Sequence, residues 1–132
     1  TEPPFPDGKP WPESMVDGVG TGEEPGYAMV NARTLFDAGA IVGYCTDTTY
    51  DALAGLEHEL KSMNVVFSMQ DMVQIMGPNT AAYLGMENEL GTLSAGKLAD
   101  VVLLDGDPLE GYWNWHKAKV VVKEGKVVVD AR

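Results

Sequence analysis

Apolar residues recur at the three- and four-residue intervals of an amphipathic helix in three stretches of the first two thirds of the chain. The spacing predicts helices over residues 28–38, 51–63 and 69–76. Gly39 follows the first stretch, where a glycine with a left-handed backbone commonly ends a helix. Helical periodicity ends near residue 90, so the two parts of the chain are expected to differ in structure.

Residues that favour helix ends surround the third predicted helix. Ser68 stands at its N-cap position and Asp71 follows three residues later, the spacing of a capping box. A Gly-Pro pair at residues 77–78 is expected to end this helix, because proline has no backbone N–H with which to continue it. Asn79 can then cap one or two further turns, which Gly85 closes.

The remaining apolar runs predict two kinds of strand. Residues 41–45 form a short unbroken apolar run, typical of a buried strand in an α/β protein, and the polar cluster at 46–49 then lies at its C-terminal end. Residues 101–104, and the stretch 119–129 with a Glu-Gly pair in its middle, predict three strands of an all-β tail. Neither set makes a standard sheet of about five to six strands, so the chain looks incomplete as a domain.

The first 26 residues follow no helical or alternating pattern. Six of the eight prolines lie there, together with several glycines, which predicts a loop or an arm. Phe5, Trp11 and Met15 are larger and more apolar than linker residues usually are. We therefore expect this arm to pack onto a partner or onto other parts of its own protein.

Composition and charge exclude several classes of protein. The 132 residues carry 9 basic and 20 acidic side chains, a net charge of −11, which argues against a nucleic-acid binder. The apolar runs are far shorter than the ~20 residues of a membrane span. A single cysteine, Cys45, allows neither an internal disulfide nor a multi-cysteine zinc site. With no signal segment in this chain, a cytoplasmic location is the default expectation.

The second half of the chain carries a motif with a recognisable spacing. Residues 91–109 read GTLSAGKLADVVLLDGDPL, with two glycine turns, an Ala-Asp step and an Asp-Gly-Asp-Pro turn, and residues 121–128 read VVKEGKVV. Together with the apolar run ending in Thr46 and Asp47, this order resembles the C-terminal portion of the metal-dependent amidohydrolase superfamily. The similarity covers about residues 27–130 and is nearest to the imidazolonepropionase and Xaa-Pro dipeptidase-like branch.

The resemblance implies an α/β fold of a particular kind. Residues 27–90 would form the closing βα segment of a (β/α)8 TIM-type barrel, with 41–45 as the last strand, and residues 91–132 would form the C-terminal part of a small β-sandwich. Such barrels place their chemistry at the C-terminal ends of strands, where Asp47 falls. In the family the matching aspartate binds the metal and accepts the proton of the attacking water. Asp47 is thus the expected catalytic residue and metal ligand.

The family's remaining ligands have no counterparts in this chain. They are a His-x-His pair on the first strand, a bridging lysine or glutamate and two histidines on middle strands, whereas this chain holds only His58 and His116. A catalytic zinc ion takes three protein ligands and keeps an open position. The chain alone is therefore expected to be inert, with a metal-free chain as the alternative to a bound metal, unless another part of the protein or a partner supplies the barrel.

Single residues that suggest chemistry are better explained by structure. His58 is flanked by acids on the polar side of its helix and is expected to be solvated. His116 lies in an aromatic cluster that predicts a packing plug, and Cys45 predicts a buried, inert thiol. Three methionines at helical spacing are expected to lie in the core: Met69, Met72 and Met76. Three aspartates are expected to stabilise turns and not to form a cation site: Asp100, Asp105 and Asp107.

Two functions remain open from the sequence. The first is a part of a hydrolase that cleaves an amide-type C–N bond with a metal-activated water, where the divalent metal is expected to be zinc and the substrate a small amide, cyclic amide or peptide-like molecule. The second is a non-catalytic binding module that associates with the remaining barrel segment or with copies of itself. Substrate-binding residues cannot be assigned, because in such barrels the loops after earlier strands set specificity.

Overall fold

The computed structural model describes residues 25–45 and 52–132 of the chain. The chain divides into two units, Thr1–Ala40 and Ile41–Arg132, each taken by itself below. The predicted arm over residues 1–26 lies almost wholly outside the described residues, as does the polar cluster that contains Asp47.

The first unit contributes one described helix, α1, over Pro25–Asp37. It confirms the helix predicted for 28–38 and begins at a proline, whose fixed φ and missing N–H suit a first helical turn. The Ala40 N–H donates to the Leu35 carbonyl at 2.9 Å, and the Gly39 N–H donates to the Phe36 carbonyl at 2.9 Å. This is the Schellman arrangement, and Gly39 ends the helix at φ +85° as its position predicts.

Residues 41–45 open the second unit in an irregular conformation. The prediction of a buried strand here is wrong for the described residues: none of the described strands pairs with this segment, and Ile41 is 57% exposed. A parallel strand is stabilised by hydrogen bonds to neighbours and by helices that cover its faces. Without neighbouring strands the apolar run stays outside a sheet.

Two helices follow as predicted. Helix α2 covers Ala52–Met63, in agreement with the predicted 51–63 over the residues that the structure describes. Helix α3 covers Met69–Gln74 and starts with the predicted capping box. In it the Asp71 N–H donates to Ser68 Oγ at 3.2 Å, and the Ser68 N–H donates to Asp71 Oδ2 at 3.0 Å. Two of the N–H groups that a helix leaves unpaired at its start are thereby satisfied.

The Gly-Pro pair does not end the third helix, contrary to prediction. The chain continues through a π-helical turn, Ile75–Asn79, into a short helix α4, Thr80–Tyr83. A π-turn is one of the ways a helix accommodates proline, because the widened turn needs no hydrogen bond from the proline nitrogen. The predicted cap is also absent: Asn79 has helical φ and ψ of −68° and −42°, and its side chain makes no cap hydrogen bond.

The end of α4 follows prediction. Gly85 has φ +68°, the Gly85 N–H donates to the Ala82 carbonyl at 3.0 Å, and the Met86 N–H donates to the Ala81 carbonyl at 2.8 Å. The glycine adopts the left-handed conformation at little steric cost, so the helix closes there.

The tail is a three-stranded antiparallel sheet in the order β1, β2, β3, with strands Val101–Leu104, Ala118–Lys123 and Lys126–Asp130. All three predicted strands are confirmed, and β2 and β3 are joined at the predicted Glu-Gly pair. Glu124 and Gly125 both have positive φ, 50° and 75°, which suits the right-handed twist of a two-residue hairpin. In β3, Val127 faces Val122 and Val129 faces Val121, so Val128 is the extra residue of a bulge.

The core of the second unit lies between helices and the central strand. Its buried apolar side chains come from α2, the turn after it, α3, the π-turn, α4 and β2: Leu60, Met63, Phe67, Met72, Ile75, Ala81 and Val120. Met72 confirms the predicted core role of the methionines, whereas Met69 and Met76 are half-buried. The valines of β3 are all exposed, and among the described strands only Val120 of the central strand is fully buried.

The carboxylate of Asp100 ties β1 to the hairpin turn and gives the unit a pH dependence. It accepts hydrogen bonds from the Lys123 ammonium and from the Glu124 N–H, the latter at 2.7 Å. The hydrogen bond from Lys123, followed by that from the Glu124 N–H, lowers the pKa of Asp100 below its ordinary value. Its stabilising effect is therefore complete above the unfolded-state pKa of about 3.9 and is lost as the pH falls through the lower folded-state pKa.

We expect Asp100→Asn to be less stable than the wild type at pH 7, because an amide cannot form the ion pair with Lys123. The difference should begin to shrink below about pH 4, where the unfolded-state carboxyl takes up a proton, and should vanish as the pH falls through the lower folded-state pKa. Urea unfolding of both proteins at pH 7 and pH 3 measures this. A difference in midpoint that does not change with pH would contradict the role assigned to the charge.

Candidate active-site segment

Asp47, the predicted catalytic residue and metal ligand, lies outside the described residues. The structure describes both sides of it: the segment 41–45, which ends two residues before it, and helix α2, which begins at Ala52. The geometry available for a candidate site is therefore that of the segment leading to Asp47.

The segment 41–45 is held against α4. The Tyr44 N–H donates to Thr80 Oγ1 at 2.9 Å, and the same hydroxyl donates to the Ile75 carbonyl at 2.7 Å. Gly43 packs against Tyr83 of α4: a Cβ added at Gly43 would lie 3.5 Å from the Cβ and Cγ of Tyr83. One face of the segment thus contacts the helical layer while Ile41 is exposed.

The side chain of Tyr44 has an unusual environment. Its hydroxyl is buried and has no hydrogen-bond partner among the residues that the structure describes. Burial, followed by electrostatic interaction with Glu59 and then with Cys45, raises the pKa of Tyr44 above its ordinary value. The phenol therefore stays protonated at neutral pH and keeps an O–H available as a donor.

Cys45 is exposed, which corrects the prediction of a buried, inert thiol. The prediction depended on burial in a strand, and the described segment is not covered by neighbouring strands. The thiol is therefore accessible to solvent.

The two histidines lie on different elements and form no metal cluster in the described chain. His58 is exposed on α2, as predicted. His116 ends the 3-10 turn Tyr112–His116, and its buried Nε2 finds no partner within the described ranges. Across residues 25–45 and 52–132, no group of three or more His, Cys, Asp or Glu side chains could hold a metal ion. The described residues by themselves therefore do not fit a metal centre.

The aromatic cluster before β2 packs in part as the predicted plug, since Tyr112 and Trp115 are half-buried while Trp113 is exposed. The Tyr112 and Trp113 rings meet edge to face at 5.5 Å, and Trp115 Nε1 donates to the Pro108 carbonyl at 3.0 Å. Buried Asn114 links this cluster to the preceding turn, because its amide donates to the Asp107 carbonyl at 2.8 Å. The position of Asn114 between two tryptophans does not predict this hydrogen bond, which only the structure reveals.

The three aspartates that resemble a cation site on paper have separate partners, as predicted. Asp100 binds the hairpin, Asp105 pairs with Lys119 at 3.1 Å, and Asp107 Oδ1 accepts from the Leu109 N–H at 2.8 Å. Each carboxylate therefore serves the local turn or strand pairing.

The described helices include none that is both long and apolar enough to cross a membrane.

Comparison with known proteins gives three results. The profile of the Amidohydrolase family matches residues 27–130. An imidazolonepropionase from Rubrobacter xylanophilus is 36% identical over 78 residues, which are 56% of this chain and 19% of that protein. An imidazolonepropionase from Symbiobacterium thermophilum is 45% identical over 56 residues, which are 39% of this chain and 13% of that protein.

A crystal structure of a Xaa-Pro dipeptidase with bound methionine in the active site has the same fold. The two structures agree with a TM-score of 0.67 at 22% identity, over 76% of this chain and 25% of the other. The matched region thus spans about a fifth or less of the curated relatives, at 19% and 13% of their lengths.

Proposed function

Because this chain belongs to the Amidohydrolase family, we propose that it is the C-terminal part of a metal-dependent hydrolase that cleaves an amide-type C–N bond. The observation that carries this proposal is the family match over residues 27–130, which includes Asp47 and the segment that leads to it. We propose a small amide, cyclic amide or peptide-like substrate, of which the similarity to two imidazolonepropionases supports the cyclic amide.

In this proposal residues 41–45 take the place of the last strand of a (β/α)8 barrel, and the other strands come from the rest of the protein. The segment contacts α4 on one side, while Ile41 on the segment is exposed to solvent. This exposed side supports the proposal, because a neighbouring strand could cover it. In the same proposal, residues 91–132 form part of a β-sandwich. The exposed valines of β3 support this part of the proposal. Residues 1–26 are proposed to act as a loop or an arm.

Asp47 is proposed to help hold the metal and to accept the proton of the attacking water. A divalent metal, for which we propose zinc, lowers the pKa of bound water toward about 7 when it is present. A carboxylate suits both roles, because one oxygen can bind a cation while the other takes up a proton. The remaining ligands must come from outside the described residues, which contain no metal-binding cluster of their own.

A second candidate is a non-catalytic binding module, and the exposed apolar sheet favours it. Val102 is 55% exposed, Leu103 49% and Val128 59%, more than a self-contained sheet usually leaves in water. In this case the sheet would be covered by a partner or a second copy, and Asp47 would have no metal to hold.

Native mass spectrometry and metal analysis of the full-length protein that carries this chain would separate the two candidates. The hydrolase proposal predicts one or two bound zinc ions per active unit and hydrolysis of a cyclic amide or of Xaa-Pro dipeptides. Removing the metal with a chelator should abolish hydrolysis, and adding zinc should restore it. A metal-free oligomer that hydrolyses none of these substrates would instead support the binding module.

A further inference from the structure

The peptide bond between Asp107 and Pro108 has two hydrogen-bond donors on its carbonyl oxygen. The side-chain amide of Asn114 donates to the Asp107 carbonyl at 2.8 Å, and the Glu110 backbone N–H donates to it at 3.2 Å. Asn114 is only 3% exposed, so water competes little with the shorter of these two contacts. Two donors on one carbonyl form the arrangement that stabilises the negative oxygen of a tetrahedral intermediate in acyl transfer.

The amide of Asn114 is held in the orientation that this contact needs. The Lys117 ammonium donates to Asn114 Oδ1 at 2.8 Å, so the NH2 end of the amide faces the Asp107 carbonyl. The positive charge of Lys117 also polarises the amide, which makes its N–H a better donor. Gly106 leaves the space for this close approach, because an added Cβ there would lie 2.7 Å from the Asn114 Cγ and Oδ1.

The carboxylate of Asp107 is held beside the same peptide bond. Its Oδ1 accepts a hydrogen bond from the Leu109 N–H at 2.8 Å. The ring that this hydrogen bond closes contains the carbonyl carbon of Asp107 and the nitrogen of Pro108, the two atoms of the bond. A carboxylate oxygen in this place can attack the carbonyl carbon through a five-membered ring, and proximity strongly favours such intramolecular reactions.

Proline makes this bond easier to break than other peptide bonds. Its nitrogen belongs to a tertiary amide without a hydrogen, and it leaves as a secondary amine once it takes up a proton. Trp115 Nε1 donates to the Pro108 carbonyl at 3.0 Å, which fixes the residue that carries the leaving nitrogen. The sequence contains one Asp-Pro pair, and it is the pair at which all these contacts meet.

We propose that the protein cleaves its own Asp107–Pro108 bond, with Asp107 as the nucleophile and Asn114 as the oxyanion donor. A carboxylate oxygen of Asp107 bonds to the carbonyl carbon of the same residue, and the C–N bond to Pro108 breaks as the nitrogen takes up a proton from the solvent. The products are a cyclic anhydride at Asp107 and a chain that begins with the free amine of Pro108. Water then opens the anhydride to two carboxyl groups.

Incubation of the full-length protein at about pH 4.5 tests the proposal, because acid is available there while most side-chain carboxyls remain ionised. Intact-mass spectrometry should show a C-terminal fragment that begins at Pro108. It should form at least about 10-fold faster in the folded protein than in concentrated urea, since unfolding removes both donors to the carbonyl. Added hydroxylamine should convert the anhydride to a hydroxamate at Asp107, a product that hydrolysis by water alone does not give.

Three variants assign the roles. Asp107→Asn keeps an acceptor for the Leu109 N–H but lacks the nucleophile, and it should abolish cleavage. Asn114→Leu has nearly the same size but no donor, and it should slow cleavage by about 100-fold. If Asn114→Leu does not fold, Lys117→Met replaces it, since the amide then loses the group that orients it; we expect about 10-fold slower cleavage. Asp105→Asn is the matched control, because it removes a neighbouring carboxylate that does not precede proline.

Equal rates in the folded and the urea-unfolded protein would show only the ordinary acid lability of an Asp-Pro bond and would overturn the proposal. Cleavage of Asp107→Asn at the wild-type rate would do the same, as would a wild type that yields no fragment after prolonged incubation. None of these outcomes bears on the proposed hydrolase function, because that function depends on Asp47 and a metal and not on this turn.

Discussion

Replacing Asp47 by asparagine in the full-length protein should reduce turnover by about 100- to 10,000-fold, the range that general base catalysis contributes, and by more if metal is also lost. Asparagine has nearly the same shape, but it carries no negative charge and does not take up a proton at neutral pH. Steady-state hydrolysis of a cyclic amide or a Xaa-Pro dipeptide, together with zinc content, measures the effect.

Asp51→Asn is the matched control for this prediction. It removes the same charge four residues further along the same stretch, at a position to which no role is assigned. Turnover should stay close to the wild type in this variant, and thermal unfolding should be similar in both. Wild-type turnover in Asp47→Asn would contradict the proposed role of Asp47, and an equal loss in both variants would indicate a general effect of charge in the stretch.

Gly91→Ala should destabilise the protein by about 2 to 5 kcal/mol, the sum of a left-handed backbone penalty and of overpacking. Gly91 has φ +85°, and an added Cβ would lie 2.7 Å from the Ala81 Cβ, 3.0 Å from the Gly77 carbonyl oxygen and 3.1 Å from the Pro78 Cα. Two of these atoms belong to backbone and cannot rotate away. The midpoint of urea unfolding measures the loss.

Gly96→Ala separates the two costs. Gly96 has φ +89°, almost the same backbone conformation, but an added Cβ would find nothing within 4 Å. We expect a loss of about 1 to 2 kcal/mol there, from the backbone alone. Equal losses in the two variants would show that the close approach of residue 91 to the π-turn is not important for stability.

Features that depend on neighbours in sequence could be predicted. The capping box at Ser68 and Asp71, the glycine that ends α1 at Gly39, and the hairpin at Glu124 and Gly125 all depend on local backbone chemistry. In each, a few adjacent residues determine the geometry, so a short stretch of sequence contains the information.

Features that depend on distant partners could not be predicted in the same way. The strand expected at 41–45 needs neighbours on both sides, and the thiol of Cys45 is exposed because the described residues provide none. Pro78 favours a helix end in local terms, yet the following residues stay helical through a π-turn. Tertiary packing, with Ile75 and Ala81 buried on either side of the proline, outweighs the local preference.

The candidate site shows the same division. Asp47 is assigned by a resemblance that extends over many residues, whereas nothing around Thr80 in the sequence indicates a partner 36 residues away. The hydrogen bond joins two residues that are far apart in sequence, so only the structure reveals it.

The bulge in β3 opposes amyloid-like stacking of identical chains. Three consecutive exposed valines on an outer strand are a template on which identical chains could add without limit. The extra residue at Val128 breaks the regular spacing that such growth requires, and Lys126 and Asp130 place a charge at each end of the valines. The strand can thus remain apolar enough to receive a matching surface while its irregular edge opposes fibre growth.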